Sequence, residues 1–212
     1  IVGGTLSGNY KISIADGATV TLNGVTINGT NSESFKWAGI TCNGSATIIL
    51  SDENTVKGFY EDYPGIFVPS GSTLTIQGDG SLKASSNGFG AGIGGGYEIA
   101  CGNIVITGGT VTAAGGTQAA GIGTATMASG GDITITAGVK KVTATGGDKA
   151  AAIGAGVSSK CGKVTIKGTV YYDGSAYQNG GATYLATSPL EITGDTSVGI
   201  KTTANDDGSY SF

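Results

Sequence analysis

The stretch from Gly90 to Gly123 restarts its own phrase before it ends. It opens G-A-G-I-G-G-G, runs through C-G-N-I-V-I and T-G-G-T-V-T-A-A-G-G, and closes on A-A-G-I-G. Taking the A-G-I-G phrase by its Ile, it falls at Ile93, Ile122 and Ile153, with weaker copies at Ile40 and Ile66. The spacings are 26, 27, 29 and 31 residues. A chain that repeats at this period stacks unit on unit, because one unit cannot bury its apolar face alone.

Two further phrases follow each copy. The first is Ile48-Ile49-Leu50, Leu74-Thr75-Ile76, Ile104-Val105-Ile106, Ile133-Thr134-Ile135 and Val164-Thr165-Ile166, with Val20-Thr21-Leu22 ahead of the series. The second is Val25-Thr26-Ile27, Leu82-Lys83-Ala84, Val111-Thr112-Ala113 and Val142-Thr143-Ala144. Apolar and polar residues alternate with a period of two, the pattern of a half-buried strand. No window carries helical periodicity, and the 41 Gly of 212 residues break every candidate strand after three to five residues. Three short strands per repeat predict an all-β coil of parallel strands, a parallel β-helix of about seven coils with essentially no helix, its interior a ladder of Ile, Val, Leu and Ala. Small residues at Ala84, Ala113 and Ala144 predict a tight corner. The outward column read off these phrases is Thr21, Ile49, Thr75, Val105, Thr134, Thr165 and Glu191, about half Thr.

The repeat runs through nearly all of the chain, so one domain over 1–212 is expected, regular over about 12–170 and capped by 171–212. The net charge is −4, carried by 15 acidic residues against 11 Lys, with no Arg and no His. That excludes the basic face a nucleic-acid partner needs, and no apolar run is long enough for membrane insertion. The chain opens at Ile1 without a signal peptide, in mid-pattern, and is expected to be a piece of a larger surface protein, secreted or anchored at a bacterial cell surface.

Three cysteines allow one disulfide at most. Cys101 and Cys161 occupy matching places, but a whole coil lies between them. Two rungs span roughly 9.5 Å, beyond the reach of about 7 Å between the Cα atoms of a disulfide. Three free thiols, buried as small hydrophobes, are expected.

Aromatics fall just ahead of the A-G-I phrase: Trp37, Tyr63 and Phe89, with Tyr60, Glu61 and Asp62 in the same loops and Tyr97-Glu98 one loop on. Matching loops of successive coils stack, so these rings are expected to form a column on one side of the rod. Flat apolar faces beside carboxylates are what a sugar polymer needs. Trp37, Tyr60, Tyr63, Glu61, Asp62 and Phe89 are therefore the candidate ligand-binding residues. Packing over the coil has the better claim on Phe35, Phe59 and Phe89, and binding on Trp37, Tyr60 and Tyr63, whose polar edges tolerate water. No cofactor is expected. Asp52-Glu53 and Glu61-Asp62 offer oxygen ligands for calcium, but neither has calcium-loop spacing, and turn acids more often cap locally.

No catalytic residue is assigned. Without His there is no Ser–His or Cys–His pair, and no two carboxyls recur on one outward column as a glycosidase requires.

The phrases G-A-G-I-G-G-G, G-N-I-V-I-T-G-G-T-V-T-A-A-G-G and P-S-G-S-T-L-T-I-Q-G-D-G-S-L resemble the A-G-I-G-G-G repeats of large cell-surface proteins of gut and rumen bacteria. Over residues 12–170 the architecture is similar to the pectate-lyase-like right-handed parallel β-helices, including their non-catalytic carbohydrate-binding members, which implies a right-handed winding. The resemblance implies an exported module that binds polysaccharide or host glycan, or acts as an adhesin. A stalk within a larger surface protein and a degenerate polysaccharide lyase are the alternatives. The lyases of that fold usually work through Arg or Lys with calcium, and Arg is absent here.

Overall fold

The computed structural model describes residues 1–167 with their side chains and, beyond them, the backbone of four short strands, Thr169–Tyr171, Ala182–Leu185, Thr203–Ala204 and Tyr210–Ser211. The chain winds as a right-handed parallel β-helix of six coils, and no helix interrupts the described residues. A short face stacks six strands in parallel: Ile12–Ile14, Ile40–Cys42, Ile66–Phe67, Ile93–Gly94, Ile122–Gly123 and Ile153–Gly154. A first long face stacks the start of Thr19–Ile27 with Ala46–Ser51, Thr73–Gly78, Asn103–Ile106, Ile133–Ile135 and Val164–Ile166. A second takes the end of Thr19–Ile27, then Glu53–Lys57, Ser81–Ser85, Thr110–Ala114 and Lys141–Thr145. An N-terminal strand, Val2–Leu6, lies parallel against Thr19–Ile27 and partners its free edge.

The interior is made of columns. Ile40, Ile66, Ile93, Ile122 and Ile153 are stacked in register on the short face, with Ile12 before them. Ile48, Ile76, Ile106, Ile135 and Ile166 form a second column, and each is at most 2% exposed. Burying each such side chain stabilises by about 1.5–3 kcal/mol, so the stacked columns are the main cohesion between coils. Ala84, Ala113 and Ala144 stack as the expected small column, continued by Val56 and Ile27.

The second Gly of A-G-I-G is required by backbone geometry. Gly94, Gly123 and Gly154 have φ of 133°, 131° and 132°, which an L side chain rarely adopts. A Cβ at Gly94 or Gly123 would also lie 2.0 Å from the carbonyl oxygen of the Gly one coil on. The short strands can therefore be only two residues wide in the regular coils.

The register corrects one sequence alignment. Leu74, Thr75 and Ile76 pair with Ala46, Thr47 and Ile48, not with Ile48, Ile49 and Leu50. A slip of two keeps every side chain on its own face, so the sequence pattern did not reveal it. The outward column becomes Thr19, Thr47, Thr75, Val105, Thr134 and Thr165. It is a nearly continuous threonine ladder rather than a mixed one. β-Branched neighbours of this kind suit a pleated, half-exposed surface.

Asn54 departs from the apolar pattern. It stands in the column of Leu82, Val111 and Val142, 1% exposed. Its Oδ1 accepts the Val25 N–H at 2.9 Å. Its Nδ2 lies 3.0–3.4 Å from the carbonyls of Ser81, Ser51, Asp52 and Leu22. One amide thereby ties the bends of three coils together.

Cys42 and Cys101 are buried free thiols, whereas Cys161, expected to be buried, is half-buried and donates its S–H to Gly131 O at 3.4 Å. Gly130 sits between the Cys101 and Cys161 coils: Gly131 N–H bonds to Cys101 O, and Gly130 N–H to Lys160 O. Burial pushes the Cys42 and Cys101 thiols up to about 12.

The expected cap, 171–212, lies outside the described residues except for strand backbone. There Ala182–Leu185 runs antiparallel to Lys141–Thr145 and to Thr169–Tyr171.

Candidate groove over the short face

Because the short strands are so narrow, the loops before and after them meet above the face. Tyr97 N–H donates to Asp62 O, and Val157 N–H to Gln118 O. The Thr126 hydroxyl donates to the same Gln118 carbonyl at 3.1 Å. Successive loops also stack, through Glu98 N–H to Thr126 O and Met127 N–H to Val157 O. Five of the loop residues are left-handed without being Gly: Gln118 and Lys149 at φ 61° and 59°, then Glu98, Met127 and Ser158 at 55°, 54° and 55°. Such backbone is uncommon outside Gly, and here it recurs at equal places on successive coils.

These loops enclose a groove of about 500 Å³ lined by Asp62, Phe89, Tyr97, Gln118, Thr126, Met127, Val157 and Ser158. Phe89 and Tyr97 form one wall, edge to face with centroids 5.8 Å apart. Met127 is 47% exposed on the other side. Gln118, Ser158 and Asp62 bring polar groups. The frame is pinned from behind. The Ser86 hydroxyl donates to Tyr63 O and accepts the N–H groups of Gly88 and Gly90, which hold Phe89 between them. Ser159, 5% exposed, donates its hydroxyl to Ala125 O and accepts the Ala128 N–H next to Met127.

The groove is acidic. Desolvation raises the Asp62 carboxyl above its usual range, Glu61 adds to the shift, Lys36 opposes it and Glu98 adds again. The Tyr97 hydroxyl is raised by desolvation, then by the charge of Glu98 and a hydrogen bond to it, then by Asp62. Tyr60 is raised by desolvation first, then by Asp62, Glu61 and Glu33, with a hydrogen bond to Glu61.

The residues singled out from sequence divide into two groups. Trp37 packs against Phe35 at 5.3 Å and the fully buried Phe59 at 6.2 Å, on the hydrophobic core. Its Nε1 is buried without a hydrogen-bond partner, and the Lys11 ammonium lies 5.8 Å from the ring. Among the described residues the ring contacts are thus Phe35–Trp37–Phe59 and Phe89–Tyr97, not one column of Trp37, Tyr63 and Phe89. Asp62 and Phe89 line the groove, and Glu61 and Tyr60 adjoin it through Asp62. The Lys36 ammonium lies 5.5 Å from the Tyr60 ring. Tyr63 takes part through its backbone, between Tyr60 O and the Ser86 hydroxyl.

Met127 and Ser158 carry no mark of their own in the sequence, Gln118 is recognisable there only as the residue at the place that Phe89 holds one coil earlier, and Tyr97 only as a neighbour. The signal was present as an offset. Glu98, Met127 and Ser158 each follow the A-G-I-G isoleucine by five residues, and Phe89, Gln118 and Lys149 each precede it by four.

A second, more open groove of about 720 Å³ lies at the bend between the long faces, with Asp52, Glu53, Asp79 and Lys140 in its lining. Lys140 and Asp79 pair there at 3.3 Å, both exposed. Asp52-Glu53 and Asp62 therefore face different grooves and do not converge on one cation. Among the described residues, no three His, Cys, Asp or Glu are grouped to hold a metal ion, and no helix is long and apolar enough to cross a membrane.

A family model described as a β-helix repeat matches residues 74–97, 104–126 and 133–157, the regular coils that carry the groove loops. The chain is similar to β-helix repeat proteins over those segments. No curated protein and no solved structure matches it. A β-helix of this kind suggests a surface or carbohydrate-related repeat protein.

Proposed function

We propose that the chain is a non-enzymatic module, exported to a bacterial cell surface within a larger protein, that binds glycan in the groove over its short face. The observation that carries this is the pairing of the Phe89–Tyr97 wall with Asp62, Gln118 and Ser158 across about 500 Å³. Ligand sites run to roughly 300–1,000 Å³ and combine apolar walls with a few convergent polar groups. Sugar rings present an apolar face to an aromatic ring and hydroxyls to amide, hydroxyl and carboxylate.

Phe59 belongs to the core and the half-buried Trp37 packs against it, so these aromatics of the early coils serve the rod, and binding rests on the later loops. The stalk reading draws on that same packing: a rod with a continuous core serves as a spacer whether or not its groove is filled. The groove gives no reason to assign chemistry. It offers one carboxyl in its lining, Asp62, where glycoside hydrolysis needs two.

The test is a glycan screen of the wild type beside Phe89→Ala and Tyr97→Ala. Binding is expected for the wild type and a loss of tenfold or more in each variant, from about 1.4 kcal/mol of lost contact. Binding equal in all three proteins overturns the groove as the site, and no binding at all leaves the stalk as the function.

A further inference from the structure

The chemistry of the occupant can be taken further, on the basis that the groove binds glycan. We infer that the groove selects a glycan bearing free, protonated amino groups, of the glucosamine type, and rejects uronate or sulfated polymers.

Charge complementarity on an apolar wall sets the preference. Asp62 lines the groove, and Glu61 and Glu98 act on it at close range. Among the described residues Lys36 is the cation that acts on Asp62, and its ammonium is already engaged over the Tyr60 ring at 5.5 Å. No Lys lines the groove, and the chain has no Arg to supply the bidentate fork that carboxylates and sulfates favour. A uronate placed against Phe89 and Tyr97 would add a negative charge to three others, well within the Debye length of about 8 Å at physiological salt. It would be desolvated there without a partner, and burying an unpaired charge is costly.

An ammonium meets the opposite situation. It relieves the mutual repulsion of Asp62, Glu61 and Glu98. It also lies against the Phe89–Tyr97 wall, where a ring face attracts a cation within about 6 Å. Gln118 and Ser158 remain for the sugar hydroxyls. Neutral sugars would use the wall and the hydroxyl partners alone. The expected order is free amine, then acetylated amine, then uronate.

Three soluble oligomers separate these cases: a β-1,4 glucosamine tetramer, its fully N-acetylated form and a galacturonate tetramer. Affinities would be measured by calorimetry at low and at raised ionic strength, at mildly acidic pH where the glucosamine amines carry their protons. The free amine should bind about fivefold or more tightly than the acetylated form, as expected for a partly exposed ion pair of about 1 kcal/mol. That advantage should shrink with salt and disappear in Asp62→Asn, while Phe89→Ala weakens both forms. Glu53→Gln, which removes one charge from the other groove, should leave the ratio unchanged. An equal fall in Glu53→Gln would show attraction to net charge only and overturn the inference. Acetylated or galacturonate oligomers binding as tightly as the free amine would also overturn it, with the glycan groove left standing. No binding by any of the three, joined to an empty glycan screen, would remove the groove function and the inference together.

Discussion

Asn54 and the cysteines show how single residues are fixed by stacking. Asn54 occupies an apolar column because the bend at Ser51–Glu53 needs its amide, and Asn54→Leu would leave Val25 N–H and the neighbouring carbonyls unpaired in a dry interior. A loss of about 2–3 kcal/mol is expected by urea unfolding, against less than about 0.5 kcal/mol for an exposed change such as Glu33→Gln. Nothing in the sequence marked Asn54, since one polar residue inside an alternating strand reads equally as an outward residue out of step. The thiols were legible, because the coil count put Cys101 and Cys161 out of disulfide reach. Cys42 and Cys101 are raised to about 12 from 9.0, so the folded state favours the neutral thiol. Their contribution is fully present below pH 9 and is lost as pH rises from about 9 towards 12. Thiol alkylation at pH 8 should therefore modify Cys42 and Cys101 only after denaturation. Rapid labelling of both in the native protein would contradict their burial.

At the scale of the element, the two-residue short strand governs the rest. Gly94→Ala or Gly123→Ala would place a Cβ against the next coil's carbonyl at a φ near 130°. The expected cost is about 2–4 kcal/mol by thermal or urea unfolding, whereas Thr134→Val on the outer face should change stability by less than about 1 kcal/mol. Wild-type stability in Gly123→Ala would refute the close approach of the coils. The A-G-I-G phrase made this element legible. The pairing of Ala46–Ile48 with Leu74–Ile76 was not, because a shift of two conserves the period on which the alignment rested. Nor were the groove loops, whose shape depends on the left-handed backbone of Glu98, Gln118, Met127, Lys149 and Ser158. None of these is a Gly, the residue that usually announces such a turn, and only their constant offset from the isoleucines betrayed them.

At the scale of the whole molecule, the β-helix converts sequence period into spatial columns, and the narrow short face lets two sets of loops meet as a groove. Asp62 gives that groove a pH dependence. Its carboxyl is raised by desolvation and by Glu61 and Glu98, against Lys36. A raised carboxyl favours the folded state below the usual carboxylate range and loses that contribution as pH rises through its own pKa. An ammonium ligand should bind more tightly as pH rises through the same interval, and a neutral sugar should bind indifferently, checked by calorimetry between pH 4 and pH 7. Fold and coil number were readable from the repeat because burial obliges stacking. The candidate groove was only half readable: Asp62 and Phe89 line it, the half-buried Trp37 packs against the core instead, and the lining from later coils was hidden among unremarkable Gln, Met and Ser.

The central claim is that binding takes place in the loops over the short face. Amide hydrogen exchange with and without the tightest binder of the glycan screen tests it most directly. The account predicts added protection confined to residues 86–90, 95–99, 116–118, 124–128 and 155–158, with the long faces unchanged. Protection centred on the threonine ladder of the first long face, or around Trp37, would contradict it.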